Sequence, residues 1–292
     1  MNDFRLRKLV VIGVGLIGGS VAAALRRAGR VQHVVGVGRG RANIERALEL
    51  GVIDSATDSA QAAAMGADLV LMAVPVSQND RVLNALRSAI ESGVVLTDAG
   101  STKRDFVASV RRAFGTSAAS VVPGHPIAGA ELTGVEAASA SLFENKRVVL
   151  TPLEESDAGA IGTVEGMWSA CGAQVIRMEP ERHDRVFSAV SHLPHALAYA
   201  LVELMASRDD ADELFAFAAS GFRDFTRIAG SSPEMWRDIC MANRDLLADD
   251  IERFQRTLAE LAARIRAGDA DAVQRVFETA RNARDASLRG KS

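Results

Sequence analysis

Cysteine is nearly absent from this 292-residue chain. Cys171 and Cys240 are too few for a disulfide framework and lack metal-ligand spacing. A reduced, cytoplasmic setting is therefore expected. Long apolar runs are missing as well: stretches such as 9–14 and 69–76 fall far short of the roughly 20 residues a membrane span needs. The N-terminus, MNDFRLRKLVVIGVG, passes from a few polar residues straight into a strand-like segment. It has no separate apolar stretch ending at a small-residue cleavage site, which argues against a secretory signal. An excess of one charge is also lacking. Basic and acidic residues number 18 and 18 up to position 179, and 16 and 19 beyond it. Neither part has the basic surplus of a nucleic-acid binder, so neither nucleic acid nor membrane is an expected partner. Lysine supplies only four of the 34 basic residues, which reads as base-composition bias and not as function.

What is present is globular. With 48% apolar and 24% charged residues the chain is neither disordered nor fibrous, and its length suits one large domain or two ordinary ones. Up to residue 179, short β-branched runs alternate with helical patterns. Strands are expected at 8–13, 33–37, 68–74 and 94–97, and near Val121, Val148 and Val175. Helices are expected at 16–28, 43–50, 79–90 and 103–114. Continuous apolar strands between helices indicate a parallel sheet covered on both faces, a doubly wound α/β domain over residues 1–179. From 180 to 292 apolar residues recur only at helical spacing, over 186–205, 246–265 and 272–286. This part reads as an all-α domain. Ile251, Phe254, Leu258, Leu261 and Ile265 share one helix face, either core packing or a subunit interface.

Gly13-Val-Gly15-Leu16-Ile17-Gly18 matches G-x-G-x-x-G directly after a strand and opens a helix, the context that marks dinucleotide binding. Gly13 would permit the turn, Gly15 would let backbone approach a pyrophosphate, and Gly18 would allow close helix–sheet contact. The second strand bears on which dinucleotide. An Asp or Glu roughly 20 residues past the glycines accepts the ribose 2′-hydroxyl of NAD. Gly38 stands there instead, followed by Arg39 and Arg41. Either these are solvated loop arginines, or they hold a 2′-phosphate through charge-assisted hydrogen bonds, which favours NADP over NAD. Val74 and Pro75, after the third strong strand, would form a wall beside the cofactor.

Other segments carry groups suited to chemistry. In Asp98-Ala-Gly-Ser101-Thr102-Lys103, Ser101 or Thr102 would cap the next helix, or Ser101 and Lys103 would reach into the cleft. His125, between Gly124 and Pro126 in a loop beyond a strand end, is placed for acid–base work and not for core packing. In Ser191-His192-Leu-Pro194-His195 the two histidines are three apart, and Pro194 should kink the helix. Packed or capping histidines are favoured over a metal pair, because no Glu or Cys at ligand spacing is near. Arg223 and Arg227 lie four apart; Arg223 with Asp224 reads as a surface pair, whereas a cleft-facing arginine would anchor a substrate carboxylate.

In this order, GVGLIGGS, DAGSTK, GHPIAGAE, SHLPHALA, GFRDFTRIA and SPEMWRDI resemble the prephenate/arogenate dehydrogenase family of tyrosine biosynthesis, over roughly residues 7–285. The resemblance implies a nucleotide-binding domain plus a helical, homodimer-building domain. It implies oxidative decarboxylation of prephenate or arogenate to 4-hydroxyphenylpyruvate or tyrosine. His125 would be the catalytic histidine and Ser101 its hydrogen-bonding companion. His195, Arg227 and Glu131 would line the substrate pocket with Trp236 nearby. Neither the regulatory ACT domain nor the fused mutase that many members carry is expected in this length. A histidine base must be uncharged, so activity should fall on the acid side with an apparent pKa near the reference of about 6.5. Two other readings stand beside this one. A different two-domain dehydrogenase, a β-hydroxyacid dehydrogenase or imine reductase, is one; the hydroxyacid enzymes would use a lysine in the helical part, and Lys291 is the sole lysine beyond Glu179. The other is a non-catalytic NADPH-binding protein, which would need the glycine loop but not His125, Ser101 and Arg227.

Overall fold

The computed structural model describes residues 4–129 and 132–289. β1 (Leu6–Ile12) leads through the glycine loop into α1 (Leu16–Arg27). β2 (Val31–Val37) and α2 (Arg41–Glu49) follow. Next come two short elements that periodicity does not reveal, β3 (Ser55–Thr57) and α3 (Ala60–Ala64). β4 (Leu69–Met72), α4 (Asn79–Glu91), β5 (Val95–Asp98) and α5 (Arg104–Phe114) complete a five-stranded parallel sheet ordered β3-β2-β1-β4-β5. Alternate residues of each strand feed two cores. Leu9, Val11, Leu69 and Leu71 face one, with Phe143 and Trp168; Val10, Ile12, Val70 and Met72 face the other, with Leu83 and Phe106. Burial on both sides is why these strands read as unbroken apolar runs.

Register sets the position of the site. Val37, Ile12, Met72 and Asp98 lie level across neighbouring strands, so the loops that begin at Gly13, Ala73 and Ala99 share one edge. The chain order reverses between β1 and β4, and doubly wound sheets bind ligands at such a point.

A second sheet departs from the parallel expectation. β6 (Gly124–Pro126) pairs antiparallel with β7 (Arg147–Leu150), which pairs parallel with β8 (Gln174–Arg177) after α6 (Ala158–Ala170). The strand expected at Val121 is a single bridge to Leu96. His125 therefore sits within an edge strand and not in a free loop, opposite Val149.

Only helices follow β8 among the described residues. α7 (Pro180–Phe187) runs through a π-helical turn, Ser188–His192, into α8 (Leu193–Ala206). The kink expected at Pro194 takes this form: Leu193 N–H bonds the Ser188 carbonyl five residues back, and the proline falls in the first turn of α8, where a missing N–H costs little. α9 (Ala211–Ala216), α10 (Ser220–Thr226) and α11 (Pro233–Ala242) precede the long α12 (Arg244–Arg266) and α13 (Ala270–Arg289). α7 packs on α5, and α11 packs on the turn Val76–Gln78 after β4. Packing thus groups α7–α11 with the α/β layers: one compact unit runs to Arg244 and the second begins at Asp245. The change of secondary structure at residue 179 is not where packing divides the chain. In the second unit, Gly268 (φ +68°) ends α12 in the left-handed conformation, with Asp269 N–H bonded to the Arg264 carbonyl.

Candidate active site

The end of β5 carries a sealed ion pair. Lys103 Nζ donates to Asp98 Oδ2 at 2.5 Å and to the Gly124 carbonyl at 2.7 Å, and both side chains are buried. Asp98 also accepts from Gly100 N–H (2.8 Å) and Gly124 N–H (2.9 Å). Burial pushes its carboxyl upward, but every partner is a donor, so the carboxylate is the form this cage holds. Lys103 does not reach into a cleft as its sequence position suggested; its ammonium lies in the interior and braces Gly124 just before His125.

His125 is partly accessible. Its Nδ1 lies 2.8 Å from His183 Nε2, and its ring meets Phe187 edge-on at 4.9 Å. Burial, then the neighbouring His183, Lys103 and His192, hold its pKa well below the ordinary histidine value. The imidazole is uncharged at neutral pH. The companion that touches it is His183, a residue motif reading passed over; among the described residues no hydrogen bond joins Ser101 to His125. Ser101 lies half-buried at the bend before α5.

His183 and its neighbour Asp184 are fully buried on α7. Asp184 accepts from His183 Nδ1 at 2.7 Å and from the backbone N–H groups of Lys103 (2.8 Å) and Arg104 (2.9 Å). It caps α5 from another helix, where free N–H groups and the helix dipole favour an anion. Its carboxyl lies below the usual range because these hydrogen bonds outweigh the cost of burial. Asn243, at the end of α11, donates to the Asp184 carbonyl (3.0 Å) and to His192 Nδ1 (3.2 Å). Burial pulls His192 down to about 4, the mark of a packed histidine. Among the described residues no group of three or more His, Cys, Asp or Glu is placed to hold a metal.

The second histidine of that motif is placed differently. His195 stacks on Trp236 of α11, centroids 3.6 Å apart and planes 19° apart, while its Nδ1–H donates to the Ser191 carbonyl. Trp236 also meets His192 edge-on at 6.1 Å. Arg227, exposed on the 3-10 turn Arg227–Gly230 that packs on α8, is close enough to help depress His195, after burial. A line of contacts thus runs from His125 through His183, Asp184, Asn243, His192 and Trp236 to His195. Arg223 is exposed on α10. Glu131 lies outside the described residues.

At the sheet switch point, Gly13 has φ +96°, and a Cβ there would lie 2.3 Å from the Ala73 carbonyl oxygen. A Cβ on Gly18 would meet the Gly13 carbonyl at 2.3 Å. A Cβ on Gly15 would meet nothing within 4 Å, so this residue faces open space. α1 begins there with no side-chain cap and no acidic residue in its first turn. Leu16, Val74 and Pro75 border the same edge with partly or fully accessible side chains, while Ile17 packs against the core. Arg39 and Arg41 are exposed beyond β2, and Arg41 pairs with Glu45 at 2.8 Å.

Residues 21–177 match the nucleotide-binding domain model of prephenate dehydrogenase, and residues 179–279 match its dimerization domain model. The chain belongs to the prephenate dehydrogenase family. It is 37% identical to a prephenate dehydrogenase of Bacillus subtilis over 279 residues, covering 95% of this chain and 75% of that one. It is 32% identical to a cyclohexadienyl dehydrogenase of Zymomonas mobilis, covering 95% of each. The crystal structure of Aquifex aeolicus prephenate dehydrogenase, in complex with hydroxyphenyl propionate and NAD+, superposes with a TM-score of 0.89 at 36% identity, over 95% of this chain and 97% of that one. As a prephenate dehydrogenase family member the chain carries a nucleotide-binding domain. The open backbone at Gly15 and the uncapped start of α1 suit a pyrophosphate.

Proposed function

We propose that the chain oxidatively decarboxylates prephenate or arogenate, with His125 accepting the proton of the C4 hydroxyl. The observation that carries this reading is the packing of His125 against His183 and Phe187, with the Lys103 cation nearby, which favours an uncharged imidazole able to accept a proton. When bound, the nicotinamide supplies a hydride acceptor for C4. Gly13, Gly15, Leu16, Ile17 and Gly18 would hold the pyrophosphate side, with Val74 and Pro75 as the wall beside it. As the hydroxyl proton passes to His125, the carbonyl forming at C4 draws electrons from the C1–carboxylate bond. Carbon dioxide leaves and the ring becomes aromatic. Ser101 orients the hydroxyl. Arg227 anchors a substrate carboxylate, with His195 and Trp236 completing the pocket.

For the cofactor we favour NADP over NAD. No carboxylate stands at Gly38 to exclude a 2′-phosphate, and Arg39 is exposed beside it. The site loop also fits glycine: a Cβ at Gly38 would press on Ile44 at 2.9 Å. We further propose a cytoplasmic homodimer. Leu258 and Ile265 of α12 and Phe217 and Phe225 near α10 leave large apolar surface exposed, as an interface would. A steady-state matrix of prephenate and arogenate against NAD and NADP tests the proposal. Turnover with release of carbon dioxide in at least one combination is expected; cofactor binding with no turnover in any would overturn it.

A further inference from the structure

We propose that His183 and Asp184 are positioning residues that fix the tautomer of His125, leaving its Nε2 as the lone pair turned to the substrate. This rests on the reading of His125 as the base.

The argument starts at the first turn of α5. Asp184 accepts two backbone N–H groups there, at 2.8 and 2.9 Å, and has no exposure to solvent. An ionised carboxylate only accepts hydrogen bonds, so the proton between Asp184 Oδ1 and His183 Nδ1, 2.7 Å apart, belongs to His183. His183 is itself sealed from solvent, and burial, with Lys103 nearby, disfavours its cationic form. A neutral His183 with Nδ1–H has a lone pair on Nε2. That nitrogen lies 2.8 Å from His125 Nδ1. Two neutral imidazoles at this distance share one proton, so His125 Nδ1–H is the donor and His125 Nε2 is bare. Each link dictates the next, from the helix N-terminus to the reacting nitrogen. The groups that face His125 and carry or gain charge are His183 and His192 from the helical side and Lys103 from the start of α5. All three are positive when charged, so all three favour the neutral ring.

A buried acid–imidazole pair that orients a second imidazole acts on turnover and not on binding. Asp184→Asn is the informative variant. Oδ1 accepts from both His183 Nδ1 and the Lys103 N–H, and Oδ2 from the Arg104 N–H, so an Asn can turn its NH2 to His183 only by opposing the Lys103 N–H. The substitution removes the charge that fixes the His183 tautomer and lets a proton sit on His125 Nε2 in part of the molecules. The expected loss in kcat is about 10-fold or more, with KM and cofactor affinity little changed. His183→Gln, whose amide oxygen can accept from His125 Nδ1, should recover part of the activity lost in His183→Leu.

The decisive readout is 15N NMR of the histidine side chains in the full-length protein, with His125→Asn spectra to assign the signal. The wild type should show His125 protonated at Nδ1 and bare at Nε2 at pH 7.5, and Asp184→Asn should show a share of His125 protonated at Nε2. A wild-type His125 protonated at Nε2 overturns the proposal whatever Asp184→Asn does. Full turnover of Asp184→Asn overturns it too, and leaves His125 as the base. Full turnover of His125→Asn, by contrast, removes the reading on which the proposal stands.

Discussion

The ammonium of Lys103 is held between the carboxylate of Asp98 and the carbonyl of Gly124, the residue directly before His125, with no exposure to solvent. One buried cation thus does two things. It ties β5 to β6 at the point where the reacting histidine enters, and it opposes protonation of that histidine.

Lys103→Met should separate these effects from substrate binding. Removing one partner of a buried pair costs about 3–5 kcal/mol, because the other is left uncompensated. Lys103→Met with Asp98→Asn should regain a good part of that loss. Urea denaturation of wild type, single and double variants checks this; a single variant as stable as wild type would show that the pair contributes nothing.

The pH dependence follows from the direction of the histidine shifts. His125 stays neutral to a lower pH than an ordinary histidine, so the acid limb of kcat/KM should lie below about 6.5, lower than sequence alone suggests. A limb at or above that value contradicts the burial argument. Stability carries the same sign. A group whose folded pKa is depressed takes up protons first in the unfolded chain. Stability is therefore complete above about pH 6.5 and falls with acid until the folded pKa is passed, which for His192 is about 4. His192 alone accounts for about 3 kcal/mol over that window. Melting of His192→Asn at pH 7 and pH 5 should show a shallower acid loss than wild type.

Arg227→Ala should raise KM for the substrate about 10- to 100-fold while kcat changes little, the loss of a charged hydrogen bond made equally in ground and transition states. Equal loss in kcat and kcat/KM would instead assign Arg227 to the transition state.

Arg39→Ala should reduce kcat/KM with NADP about 10-fold or more and leave NAD use nearly intact. Arg41, already paired with Glu45, should matter less. A wild-type enzyme that strongly prefers NAD would discard the assignment of Arg39.

Much of the fold was legible because its signals are local. Gly13, Gly15 and Gly18 follow an apolar run and open a helix within a few residues, and β4 and β5 read directly from theirs. Elements that depend on distant partners were not legible: β6 is three residues long and exists through its pairing with β7. The same holds in the site. His125 is marked out by its Gly and Pro neighbours, whereas His183 lies in ERHDRVF, which looks like a solvated helix face. Its role comes from a contact 58 residues away. One local sign existed: His183 precedes Phe187 by four positions, which places both on the buried face of α7. Lys103 misled for the opposite reason. A lysine reads as exposed until its carboxylate partner, Asp98, is seen five residues earlier.

The most direct test of the account is single-turnover kinetics of His125→Asn beside wild type, with prephenate or arogenate at saturating cofactor and carbon dioxide counted against reduced nucleotide. Wild type should release one carbon dioxide per reduced nucleotide. The variant should bind cofactor normally and turn over about 10²- to 10⁴-fold more slowly. A variant within a few-fold of wild type would show that the proton goes elsewhere and that His125 is not the base.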